Sequence, residues 1–141
     1  MSERLSGGCL CGAVRYDCDG EPMMTALCHC DDCQRSTGST FSILVAVNCE
    51  ELQLEGDTLA TFITIGEEAG ERRERKFCSA CGSPIVSIIA EAPEIAFINA
   101  GTLDDRSWLE PEMEVWSDSA QPWLANQDAA ERGCFPRGIP T

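Results

Sequence analysis

Apolar and polar positions in this chain alternate over short stretches and do not recur at helical spacing. Strand-like runs are "AVRYDC" (13–18), "MTALC" (24–28), "FSILVAVNC" (41–49), "LQLEG" (52–56), "LATFITI" (59–65), "RKFC" (75–78), "PIVSIIA" (84–90) and "IAFINAG" (95–101). Many are rich in Val, Ile, Thr and Phe, which fit a pleated, half-buried surface. Turn residues separate them, as in Asp19-Gly20-Glu21-Pro22, Glu55-Gly56-Asp57 and Gly82-Ser83-Pro84. Short strands at this pace predict an all-β domain of antiparallel sheets. The helical signals are brief. "DDCQRST" (31–37) fits one short helix, capped by Asp31 or Asp32 and ended by Gly38, and 102–110 holds another turn. The stretch 124–141 reads as an irregular tail, and nothing else divides residues 1–141, so a single domain is expected.

Composition narrows the partners. Ten basic residues face 24 acidic ones in 141, for a net charge of −14 and a pI near 4.2. Nucleic acid is bound through clusters of Lys and Arg, so this balance argues against a polyanion partner. The one basic run, "ERRERK" (71–76), is broken by Glu71 and Glu74 and reads as a solvated strand or loop. No stretch has the roughly 20 apolar residues of a membrane span, and "MSERLSGGCL" lacks a charged-then-apolar signal region. The expectation is a soluble cytoplasmic protein with no membrane partner.

The ten cysteines carry the chemistry. "GGCLCG" (7–12) puts Cys9 and Cys11 two apart, on one face if the backbone is a strand. "FCSACGS" (77–83) gives Cys78 and Cys81 the C-x2-C spacing of a zinc knuckle, with Gly82 easing the turn. Together they offer the four thiolates of a closed, structural zinc site. Sulfur ligands favour zinc over magnesium or calcium. "CHCDDCQ" (28–34) supplies Cys28, Cys30 and Cys33 from one segment. Three protein ligands with a vacant fourth position is the pattern of a catalytic zinc. A fourth ligand from Cys49, Cys134 or His29 would instead make a second structural site. His29, between two candidate ligands, faces away from the ion if the chain is extended. Cys18, Cys49 and Cys134 stand alone and read as small buried apolar residues. An ion held by three thiolates can still lower the pKa of an incoming thiol and present it to a small electrophile such as an aldehyde.

At these residues the chain resembles the glutathione-dependent formaldehyde-activating (GFA) family, also called centromere-protein-V-like. The resemblance rests on "GGCLCGAVRY" (7–16), "CHCDDCQRSTGSTF" (28–41) and "KFCSACGSPI" (76–85) and spans most of residues 5–123. It implies an Mss4-like fold. It also implies two zinc ions, a structural one on Cys9, Cys11, Cys78 and Cys81 and a catalytic one on Cys28, Cys30 and Cys33. The activity implied is that of a carbon–sulfur lyase, typically on S-hydroxymethylglutathione, with glutathione and a small aldehyde as partners. Members often carry Pro-x-x-His-Ile late in the chain. Here Pro111, Glu114 and Val115 fill that pattern, so Glu114 stands at the usual His position. That change implies another substrate or another proton carrier; Glu114, His29, Asp31 and Asp32 are the candidates. Arg35, just after Cys33, is the candidate cation for anionic glutathione, with Arg15 behind it. Gln34, Thr37 and Ser39 either donate hydrogen bonds near the ion or satisfy the turn's backbone. The alternatives to an enzyme are a thiol-binding carrier or a structural interaction module.

Overall fold

The computed structural model describes residues 4–66, 70–124 and 133–138. Its strands are β1 (Leu5–Gly8), β2 (Arg15–Cys18), β3 (Met24–Cys28), β4 (Ser42–Asn48), β5 (Leu52–Glu55), β6 (Leu59–Ile65), β7 (Arg72–Cys78), β8 (Pro84–Ile89), β9 (Ile95–Asn99), β10 (Met113–Val115) and β11 (Gly133–Cys134), with one helix, α1 (Asp31–Thr37). The β-sheet architecture expected from the alternation is present. Strands β1, β2 and β5 form a small antiparallel sheet, and the other eight form a large one in the order β11-β10-β3-β4-β9-β8-β7-β6. Two pairings are parallel, β10 to β3 and β10 to β11. The chain after β9 returns to lay Met113–Val115 along the outside of β3 in parallel register. The part of the tail at 133–134, expected to be irregular, is the sheet's edge; residues 125–132 and 139–141 lie outside the described residues.

Alternation along β4 and β9 separates two apolar clusters. Val45, Val47, Ala96 and Ile98 face the small sheet and pack with Val14, Tyr16 and Cys18. Leu44 and Phe97 point the other way, toward Cys28, Cys33 and Val115. The register pairs Val45 with Ile98 and Ala46 with Phe97, so one cluster lies on each face of the large sheet. Cys9 and Cys78 belong to the first cluster, Cys28 and Cys33 to the second.

The small sheet sits close on the turn after β9. Gly7 bridges Leu103, and a Cβ at Gly7 would stand 2.3 Å from both the Thr102 carbonyl and the Tyr16 hydroxyl. That hydroxyl is 2.7 Å from Thr102 Oγ1. One obstacle is backbone and the other is the hydrogen-bonded hydroxyl of buried Tyr16, so neither yields cheaply. Gly7→Ala is expected to cost about 2 kcal/mol of stability, within the range for overpacked cores, as a lower urea midpoint at unchanged slope.

Candidate metal centres and the adjoining cleft

The first sulfur cluster is built from two turns. β1 ends at Gly8, and Cys9 to Gly12 form a tight turn in which the Gly12 N–H bonds the Cys9 carbonyl at 3.2 Å. Gly12 has φ +83°, the left-handed region that glycine enters without a Cβ penalty. Cys9 and Cys11 therefore converge through a turn and not, as expected, along a strand. Cys78 closes β7, and the Gly82 N–H returns to the Cys78 carbonyl at 2.7 Å. The four Sγ atoms of Cys9, Cys11, Cys78 and Cys81 all lie within 4.8 Å of one another. Cys9 to Cys11 is 3.6 Å and Cys11 to Cys78 is 3.8 Å. A tetrahedron with metal–sulfur bonds of about 2.3 Å has edges of about 3.8 Å, so the donor set fits one zinc-sized ion. Hydrogen bonds from the Ser83 hydroxyl, the Ser83 N–H and the Cys11 N–H hold the Cys81 thiol down to about 5, already favouring the thiolate that a metal needs.

The second cluster straddles a strand end and a helix start. Cys28 ends β3, Cys30 is the N-cap of α1, and Cys33 lies in its first turn. The Cys30 sulfur accepts the Cys33 N–H at 3.2 Å. The cap is thus Cys30 and not Asp31 or Asp32, because Cys30, with extended φ and ψ, already occupies that position. Gly38, at φ +73°, ends the helix as expected. The three Sγ atoms lie within 4.8 Å of one another, Cys28 and Cys33 at 3.5 Å. That is too long for a disulfide. Hydrogen bonds from Cys28 and Cys30 hold Cys33 far below the ordinary thiol range, while bonding to Cys30 and Cys33 pushes Cys28 up. Arg75 and the Ser42 hydroxyl also favour the Cys33 thiolate. Among the described residues no further His, Cys, Asp or Glu atom joins this trio.

The remaining candidates are scattered. His29 is buried, with Nε2 2.8 Å from Glu114 Oε1, and Glu114 is buried with it. The Cys134 thiol stands 3.9 Å from the other Glu114 oxygen. Of the lone cysteines, Cys18 is fully buried as expected; Cys49 is half-buried and Cys134 exposed, because each sits at a sheet margin. Arg15 is committed to a two-pronged pair with Asp104, at 3.1 and 2.5 Å. Arg35 is exposed in the last turn of α1. Gln34 donates to the His29 and Ser119 carbonyls and Thr37 to the Cys33 carbonyl, and Ser39 Oγ accepts the Phe41 N–H. These three satisfy backbone, the second of the roles considered for them.

A cleft of about 170 Å³ opens beside Cys30. Asp31 and Asp32 line it from α1, Trp116 and Ser119 from the turn after β10, Glu71 from just before β7, and Arg73 and Arg75 from β7. The solvated reading of "ERRERK" is corrected here: the run is strand β7, half-buried along most of its length. Residues two apart on a strand share a face, and that periodicity in Arg73-x-Arg75 was the available signal. Trp116 has φ +56°, rare for a residue with a side chain. Its N–H bonds the Arg137 carbonyl, and Ser117 N–H the Phe135 carbonyl, so the 133–138 segment pins this wall. A larger cleft between the small sheet and residues 103–112 is lined by no cysteine.

Fold and site together define a small β-sheet protein with two cysteine clusters that could hold metal ions, one of four sulfurs and one of three beside a cleft. Comparison with known proteins gives the family: the profile of the glutathione-dependent formaldehyde-activating enzymes matches residues 4–119, and the chain belongs to that family. A protein of Halomonas elongata, provisionally named a glutathione-dependent formaldehyde-activating enzyme, is 26% identical over 136 residues, covering 93% of this chain and 86% of its own. The crystal structure of a Rhodobacter sphaeroides protein shares the fold with a TM-score of 0.56 at 18% identity, over 92% of this chain and 98% of that one. Among the described residues no helix is long and apolar enough to cross a membrane.

Proposed function

We propose that the protein is a zinc-dependent carbon–sulfur lyase, acting in the cytoplasm on a thiol–aldehyde adduct, S-hydroxymethylglutathione or a related glutathione conjugate. Cys9, Cys11, Cys78 and Cys81 hold a structural zinc, and Cys28, Cys30 and Cys33 a catalytic one. The observation that carries this reading is the sulfur trio, which gathers no fourth ligand among the described residues and has one member, Cys30, in the wall of a cleft. When bound there, zinc supplies a lowered thiol pKa and a positioned sulfur. In the cleaving direction the adduct's hydroxyl loses its proton, the carbonyl forms, the carbon–sulfur bond breaks and its electron pair stays on sulfur. Asp31, a carboxylate lining the cleft next in the chain to Cys30, takes that proton. Glu114 and His29 are buried against each other and do not line it; their role is to fix the segment between Cys28 and Cys30.

That same burial of Glu114, at the position where members often have His, favours a second reading, a carrier that binds a thiol without turnover. Metal analysis and X-ray absorption, with and without glutathione, together with the rate of adduct formation, decide. The lyase predicts two ions per chain, one gaining a sulfur ligand from added glutathione, and accelerated exchange between formaldehyde and adduct. A thiol that binds without acceleration supports the carrier. Two fully protein-ligated ions overturn both.

A further inference from the structure

The cleft beside Cys30 holds an arrangement of charge that folding alone does not require. Arg73 and Arg75 share a face of β7 and are fixed by neutral partners. Arg73 donates to the Ser87 hydroxyl at 2.9 Å and lies 5.3 Å from the centre of the Phe97 ring. Arg75 donates to the Thr64 and Ser36 hydroxyls at 3.0 and 3.3 Å. Elsewhere in this acidic chain Arg4, Arg15, Lys76 and Arg137 each stand within 4.0 Å of a carboxylate. Arg73 and Arg75, like Arg35, Arg72 and Arg106, have no such partner among the described residues, and of these five they alone line the cleft, beside Asp31, Asp32 and Glu71. A guanidinium has five N–H donors, and the hydroxyl bonds use one on Arg73 and two on Arg75. The cleft thus presents separated charges of both signs, with donors to spare.

We propose that this cleft recognises an α-amino-acid head group, a carboxylate and an ammonium on one carbon, carried by the thiol substrate. Arg73 and Arg75 take the carboxylate through paired N–H···O bonds, and Asp32 and Glu71 take the ammonium. The proposal rests on the thiol-binding reading above and names the residues that hold the substrate's end away from its sulfur. About 170 Å³ is less than the roughly 300 Å³ at which whole drug-sized ligands are accommodated, so the cleft holds one end of the molecule while its sulfur reaches the trio. Trp116 offers an aromatic wall to the carbon chain between them. The field of the whole protein repels an anion, and a zwitterion, with no net charge at this end, escapes that penalty.

Two ligands separate this proposal from the reading beneath it. S-methylglutathione keeps the head group and has no free thiol, so calorimetry on the zinc-loaded protein reports the cleft alone. 2-Mercaptoethanol has a thiol and no head group, so the sulfur-to-metal absorption band of cobalt-loaded protein reports the trio alone. S-methylglutathione is expected to bind the wild type, with tenfold or greater weakening in Arg73→Gln, Arg75→Gln and Asp32→Asn. Its N-acetylated form, without the ammonium, is expected to bind the wild type about tenfold more weakly. The band with 2-mercaptoethanol should be the same in Arg73→Gln as in the wild type. If S-methylglutathione binds all variants equally, or if Arg35→Ala alone weakens it, the head-group proposal is overturned. If it binds as described while no thiol alters the cobalt band, the cleft assignment stands and the lyase reading falls.

Discussion

Cys78→Ser is expected to leave little soluble, folded protein, with the closed sulfur centre empty. Cys78 is fully buried, closes β7, and joins the knuckle to the turn that follows β1 through its 3.8 Å approach to Cys11. Structural zinc contributes roughly 10–16 kcal/mol in small zinc domains, against a total stability of about 5–15 kcal/mol for a typical protein. Removing one thiolate of four takes enough of that to unfold a chain whose small sheet is tied to the large one at this point. Cys18 supplies the comparison, being equally buried and outside both clusters. Cys18→Ala should cost only about 1 kcal/mol, the usual scale for a small core truncation. Soluble yield, metal per chain and urea unfolding of the two variants check this. Equal loss in both would mean that packing, and not a metal, holds the quartet together.

Cys30→Ser should have the opposite profile, with the fold retained and turnover lost. Cys30 is half-buried and serves as the helix N-cap, accepting the Cys33 N–H. Serine is among the best N-caps, so the helix start survives the change. A serine hydroxyl is a far weaker zinc ligand than a thiolate, and the trio has no spare among the described residues. Losing even an outer partner of a metal ligand typically costs 10–100-fold, so losing the ligand itself should lower adduct formation or cleavage by more than about a hundredfold. The bound metal should fall from two ions to one, and the urea midpoint should move by no more than about 1 kcal/mol equivalent. Retained turnover with the trio's ion missing would remove the trio from the chemistry.

Much of the strand pattern was legible because alternation survives wherever one face of a strand is buried. β3, β6 and α1 have the expected bounds, and β4, β5, β8 and β9 end within one or two residues of theirs. The misses share a cause. β1 is Leu-Ser-Gly-Gly, with too few apolar residues to show a period, and β10 and β11 are three and two residues long. Each exists because a neighbour offers an edge, and an edge leaves no mark in the sequence that joins it. "ERRERK" misled for a related reason. Its alternation is between charges, and burial of Arg73 and Arg75 depends on hydroxyls and an aromatic ring from β6, β8, β9 and α1.

Spacing by itself determined that seven cysteines would act in short-range groups, since one or two intervening residues let sulfurs converge through a single turn whatever surrounds them. The same spacing, with turn residues between alternating runs, determined the β class and the short helix at 31–37. The same spacing, with the resemblance, already grouped two pairs as one quartet; only the tertiary structure decided that the trio lies on the opposite face of the large sheet and that β7 brings two guanidiniums to its side. The reason is range: covalent spacing controls geometry over a few residues. Contacts between residues distant in the chain arise only when whole strands pair in register, and that register is chosen by burial summed over the entire sheet.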